Sequence, residues 1–362
     1  MQNLLLKILT LTFSLALCLG AISACGDVDE QVEEHVCTVF EEGICRECDP
    51  NANTGFIYSK IWGKPKELIG YELQSLGDCY EKDIIIPSKY KGLPILRISD
   101  NFASHHGELK SVYFEENSKL TYLGERAFFD CENLRSIDIP VTVTSIGDSA
   151  FEYCKSLVYI VIPNSVTTIG NHAFRFCSSL KNMEIPNGVS TISYNLFFGC
   201  DSLESVVLPS SVTSVNDFAF GDCAKLTNIT VHPNNSSYKT IDGNLYTIDG
   251  KTLIQYLIAK TEKSFKIPDT VTSISNYAFY NCKTLESIEI PSGVTSIGHS
   301  AFYNCEKLES IVIPQSVEFM GYGVFQECDL ITVYCEAISQ PSDWNCDWSY
   351  KNAPFVWGYK AN

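Results

Sequence analysis

Eight cysteines fall on a fixed beat. Cys131, Cys154, Cys177, Cys200 and Cys223 stand 23 residues apart, and Cys282, Cys305 and Cys328 resume with the same step. A phenylalanine precedes each cysteine by three residues, from Phe128 to Phe325. A leucine follows seven of them by three, from Leu134 to Leu308. A period in the twenties means that one short coil is copied along an axis. Each copy buries its apolar side only against its neighbours. The expected fold is therefore a repeat solenoid.

One unit reads V-T-x-I-x-x-x-A-F-x-x-C-x-x-L-x-x-I-x-I-P, as in Val143 to Pro163. Its Leu-x-x-Ile-x-Ile part ends in a period-two alternation, which suits a short strand with one face on a core. Proline follows directly at Pro140, Pro163, Pro186, Pro209, Pro268, Pro291 and Pro314, and it stops the strand. Val166 and Ile169 point inward from a second, weaker extended piece. Ala173, Phe174 and Cys177 read as a turn or one helical turn, too short for a free helix. The fold class is thus mostly β, with one parallel strand per 23-residue repeat and short helical or turn segments.

These phrases resemble the BspA-like bacterial type of leucine-rich repeat, over roughly residues 84–357. The resemblance implies a right-handed coil, a place on the cell surface, and adhesion or cell–cell contact through extracellular protein partners. It says little about the ligand, because a repeat scaffold carries specificity at its variable positions.

Before the repeats, residues 1–24 hold one charge, Lys7, ahead of an apolar run, as a signal peptide does. The run ends in Ile22-Ser23-Ala24-Cys25, which resembles a lipobox. Cys25 would then be acylated and tie the secreted chain to the bacterial membrane. Ordinary signal cleavage near Ala24 is the alternative.

Residues 25–54 form an acidic tether. His35, Cys37, Cys45 and Cys48 lie within it with a C-x-x-C knuckle, which fits a structural zinc, a disulfide or a plain unstructured segment. Residues 55–97 read as an N-terminal cap, 98–330 as the solenoid, and 331–362 as a C-terminal cap rich in aromatics. Between Cys223 and Cys282 the beat breaks. Residues 232–267 carry Asp242-Gly243 and Asp249-Gly250, which mark tight turns between three short strands of an inserted hairpin unit.

No catalytic constellation emerges. The six histidines form no H-E-x-x-H, and no serine sits in G-x-S-x-G. The reading is a non-enzyme without a cofactor, apart from the zinc alternative. Removing residues 1–24 takes away one of 26 basic side chains and none of the 43 acidic ones, moving the net charge from −17 to −18. Such a balance argues against nucleic acid, whose phosphates need a basic face.

The variable positions of the strand column are the expected contact surface, with Tyr159, Asn182, Glu184, Asn228 and Glu289 as candidates. Carbohydrate binding at the envelope through the C-terminal aromatics is a second class of function, and a structural spacer is a third. The in-phase cysteines should be small buried hydrophobes, because stacked equivalents about 4.8 Å apart do not meet the roughly 3.8 Å between bridged Cβ atoms. Disulfide candidates are the off-beat Cys37, Cys45, Cys48, Cys79, Cys335 and Cys346. Tyr153, Phe176, Tyr280 and Tyr303, beside the cysteines, are expected outside the column and tolerant of polar replacement.

Overall fold

Leu157, Ile160 and Ile162 are buried, and the residues between them face solvent. The same alternation recurs in coil after coil, so one side of each strand has a core to cover and the other does not. The computed structural model describes residues 54–63, 67–77, 81–349 and 354–360. Over these the chain is a parallel-strand β-solenoid of about 12 turns, with no helix among the described residues. Cys25, His35, Cys37, Cys45, Cys48 and Cys79 lie outside the described residues.

Two strand columns run along the axis. The Leu-x-x-Ile column pairs in parallel with a one-repeat step, as in Asn182–Glu184, Ser205–Leu208 and Asn228–Val231, where Asn182 faces Ser205 and Ser205 faces Asn228. The weaker extended piece also pairs, in two-residue strands such as Ser145–Ile146 and Thr168–Ile169. Each repeat therefore contributes a second short parallel rung beside the expected strand. The glycine after this rung lets the coils approach closely. A Cβ built on Gly147 would stand 2.6 Å from the backbone of Gly124 in the coil before.

The Ala-Phe-x-x-Cys segment is a run of turns whose amide groups bond across coils. Phe128 N–H donates to Ala150 C=O, Phe151 to Ala173, and Phe279 to Ala301. Inside the coil these phenylalanines stack. Phe128, Phe151 and Phe174 have neighbouring centroids 5.5 Å apart and nearly parallel planes. The cysteine thiols run beside them, and seven of the eight donate to a carbonyl of the preceding coil. Cys177 Sγ reaches Phe151 O at 3.1 Å, and Cys200 Sγ reaches Phe174 O at 3.1 Å. All eight in-phase cysteines are free and buried. Cys335 and Cys346 are free as well, the first buried and the second exposed, so no bridge forms at either of those off-beat positions.

The outer aromatics lie outside the column, as expected, but they are not free surface positions. Tyr153 and Phe176 lie half-buried with centroids 4.9 Å apart, and Phe176 meets Phe198 edge-on at 5.6 Å. Tyr280 and Tyr303 stack at 5.0 Å. These rings form a second ladder outside the phenylalanine column, because equivalent side chains of successive coils arrive at stacking distance whether or not they face the core. Two of them sit on left-handed backbone, with φ of 62° at Tyr153 and 57° at Phe176. That conformation is unfavourable for a bulky side chain, and the ring contacts help to hold it.

The insertion lies within the solenoid. Tyr238–Ile241 pairs antiparallel with Asn244–Thr247, and Asn244–Thr247 with Thr252–Gln255. Asp242 and Gly243 take φ of 49° and 78° at the first turn. Thr252–Gln255 then joins Ser273–Ile274 in parallel. Tyr256 takes a phenylalanine's place in the inner ladder, donating its N–H to Ala278 C=O and stacking 5.1 Å from Phe279. On the outer side Phe218 meets Tyr277 directly, at 3.6 Å between centroids.

Candidate functional site

The outward positions of the Leu-x-x-Ile column form two rows. The first runs Ser136, Tyr159, Asn182, Ser205, Asn228, and the second Asp138, Val161, Glu184, Val207, Thr230. Asn182, Glu184 and Asn228 are exposed. Ser205 Oγ donates to Asn182 Oδ1 at 2.7 Å, and Asn228 Nδ2 donates to Thr230 Oγ1 at 3.0 Å. The surface is thus ordered by its own polar contacts between and within coils.

One coil differs. Asp83–Ile86, Ser111–Phe114 and Ser136–Ile137 make one three-stranded sheet, and Asn182–Glu184 begins another. Between them the coil of Leu157 to Ile162 contributes only a single bridge, from Val161 to Asp138. This coil also projects the apolar side chains of the face. Tyr159 is 64% exposed, Val161 53% and Val158 44%, where neighbouring coils offer Ser136, Asn182, Asp138 and Glu184. Val141, 80% exposed, lines a cleft with Phe114, Glu115, Lys119 and Thr142.

Four of the five sequence candidates fall together. Tyr159 lies next to Asn182, Glu184 shares the coil of Asn182, and Asn228 stands two coils further on. Glu289 does not join them. It belongs to the sheet of Ser264–Lys266 and Ser287–Glu289, where its carboxylate accepts from Lys266 Nζ at 2.7 Å. The sequence places Val161 in the outward ladder beside Tyr159, but Val158 was not among the candidates. Aligning the coils would have found it, because no other repeat puts three large apolar residues at those positions.

The other sequence candidates yield no reactive group. His105 Nδ1 lies 2.9 Å from Asp130 Oδ2 on the exposed side of a turn. His172 meets the Asn195 amide, and His299 Nδ1 accepts from Tyr322 N–H. No metal-sized cluster of His, Cys, Asp and Glu occurs among the described residues. Two of the three C-terminal tryptophans serve packing. Trp344 and Trp348 are buried, Trp344 Nε1–H donates to Val317 C=O at 3.1 Å, and Trp348 meets Phe325 edge-on at 6.1 Å. They cover the end of the phenylalanine ladder, which removes them as platforms for a sugar ring.

The family model described as "BspA type Leucine rich repeat region" matches in six copies over residues 96–227 and 256–340. Among solved structures, the chain is similar to a leucine-rich repeat protein from Eubacterium ventriosum, at 28% identity over 75% of this chain and 69% of that one, with a TM-score of 0.61. It is similar to a leucine rich cell surface protein from Faecalibacterium prausnitzii at 25% identity, over 82% of this chain and 93% of that one, with a TM-score of 0.56. The pneumococcal vaccine antigen PcpA shares the fold, at 23% identity over 78% and 68% of the two chains and a TM-score of 0.51. No curated protein matches.

Proposed function

The chain belongs to the BspA-type leucine-rich repeat family, and from that premise we propose that it is a surface-anchored adhesion protein that grips a protein partner with its outward strand face. The observation that carries this reading is the interrupted coil at Val158, Tyr159 and Val161. Exposed aromatic and aliphatic groups set in a polar rim are the composition of a protein contact. Asn182, Glu184 and Asn228 supply that rim. A surface location accords with the cell-surface relative from Faecalibacterium prausnitzii. Acylation of Cys25 anchors the chain, residues 25–54 carry the solenoid off the membrane, and residues 55–97 and 331–362 cap its two ends.

Two measurements test the proposal. Cys25→Ala should move the protein from the membrane to the soluble fraction and abolish labelling by a palmitate analogue; unchanged partitioning removes the anchor. The full chain should capture specific proteins from host-matrix or neighbouring-cell surface extract. Tyr159→Ser combined with Val161→Ser should lose them while keeping the circular dichroism spectrum. Equal capture by that variant places the contact elsewhere.

A further inference from the structure

The residue just before the first outward row carries a second pattern. Backbone bonds fix its order from coil to coil: Lys110 N–H donates to Lys82 C=O, Arg135 N–H to Lys110 C=O, Lys181 N–H to Val158 C=O, and Glu204 N–H to Lys181 C=O. The column therefore reads Lys82, Lys110, Arg135, Val158 and Lys181, and turns acidic at Glu204. Before that turn, four of five successive coils place a cation in the column, in a chain of net charge −17. Successive members are about 4.8 Å apart, so the row spans about 19 Å.

Four other lysines are neutralised across coils. Lys155 pairs with Glu132 at 2.6 Å, Lys263 with Glu286 at 2.8 Å, Lys266 with Glu289 at 2.7 Å, and Lys283 with Glu306 at 2.7 Å. In the basic column Lys82 has Glu108 at 3.7 Å, whereas Lys110, Arg135 and Lys181 make no ion pair among the described residues. Glu108 lies two residues before Lys110, Asp138 and Glu184 stand three residues after Arg135 and Lys181, and Glu204 follows Lys181 in the next coil. Lys82, Lys110 and Arg135, stacked at coil spacing, repel each other in the free protein. An anionic ligand relieves that repulsion only when it binds.

We propose that the column Lys110–Arg135–Lys181, with Val158, Tyr159 and Val161 set into it, is the docking strip for an acidic, apolar-studded segment of the protein partner. This inference rests on the protein-binding reading and specifies the partner's chemistry. The charges select an anion, and the aliphatic Val158 and Val161 select a polypeptide, since a polysaccharide offers them no apolar side chain. Because Arg135 and Lys181 are exposed and Lys110 is half-buried, the cations steer encounter and fix register, and the apolar group at their centre is the anchor.

The test uses the full chain in non-ionic detergent and a fluorescein-labelled peptide in which glutamate alternates with leucine around one phenylalanine. Anisotropy should show binding at 50 mM salt that weakens at least tenfold at 300 mM, and a peptide with lysine for glutamate should not bind. Arg135→Glu with Lys181→Glu should weaken binding at least tenfold, and Lys263→Glu with Lys283→Glu should leave it within twofold. Equal binding of both peptides, or no effect of the Arg135 and Lys181 changes, overturns the proposal. So does tighter binding of polygalacturonate than of the peptide, which would assign the strip to an acidic polysaccharide. If the full chain still captures cell-surface proteins through Tyr159 and Val161 while the column variant captures the same set, the strip fails and the protein-binding reading stands.

Discussion

The thiol column should make this protein unfold in alkali. Burial pushes the Cys131 and Cys282 thiols up to about 12, and it raises those of Cys154, Cys177, Cys200, Cys223 and Cys305 well above their ordinary value of 9.0. The cause is desolvation, since a thiolate in the column would have no water. In the unfolded chain the same thiols ionise near 9. Above that pH the folded state binds more protons than the unfolded state, so stability falls as pH rises. The contribution is intact below about pH 8 and is lost progressively above 9. One pH unit beyond the unfolded value, each thiol has cost about 1.4 kcal/mol. Seven together come to about 10 kcal/mol, comparable to the whole stability of a typical domain.

Circular dichroism followed from pH 7 to 11 should therefore show a steep transition between about pH 9 and 10, releasing several protons per chain. The decisive variant is Cys154→Ala with Cys177→Ala and Cys200→Ala. At pH 7 it should be less stable by about 1 kcal/mol per site, the cost of a small cavity and a lost S–H···O contact. At pH 10 it should be the more stable protein, because about 4 kcal/mol of ionisation penalty has been removed with the three thiols. The two stability curves must cross. An alkaline midpoint that stays put or moves down in the triple variant would refute the argument, as would fast labelling of Cys177 by a bulky thiol reagent in the native protein.

The outer ring ladder and the C-terminal cap give further tests. Phe176→Ala should cost about 2 kcal/mol by removing its contacts with Tyr153 and Phe198, while Phe176→Asn should cost less because asparagine accepts the left-handed backbone there; thermal unfolding gives the order. Trp348→Ala should cost about 3 to 5 kcal/mol, and native-state hydrogen exchange should localise the loss to the last coils around Phe325 and Cys328. Cys177→Asp should prevent folding of its coil, because an unpaired charge would enter the column, seen as a lost fraction of soluble protein.

The inner architecture was legible because it repeats. Phe151, Cys154, Leu157, Ile160 and Ile162 recur at the same spacing in the other coils, and identical coils have to stack in register for their apolar sides to meet. The Asp242-Gly243 pair announced its turn by local chemistry alone, since few residues accept a positive φ there. The outer face was less legible. Tyr153 and Phe176 look like free surface positions when one repeat is read alone. Stacking makes them neighbours, and it makes them half-buried. The same applies to Cys335, whose off-beat position suggested a bridge. The strand of Thr332–Cys335 pairs in register with Ser310–Ile313, which carries that thiol into the core.

The basic column shows what kind of reading would have succeeded. Arg135 and Lys181 are unremarked when the chain is read along its length, separated by two repeats of mixed charge. Across coils they belong to one row with Lys82 and Lys110, and the single uncharged member of that row, Val158, begins the apolar group that breaks the sheet. In a solenoid the distance that decides an interaction is the coil step, so charge and exposure have to be summed down columns. Summed that way, the pairs Lys155–Glu132, Lys263–Glu286 and Lys283–Glu306 close on themselves. Lys110, Arg135 and Lys181 make no ion pair among the described residues, and an exposed cluster of large apolar side chains, Val158, Tyr159 and Val161, sits among them. Neither feature stabilises the free coil, because like charges repel and exposed apolar groups gain nothing from water. Their coincidence at one coil is accounted for by a partner that neutralises the first while covering the second.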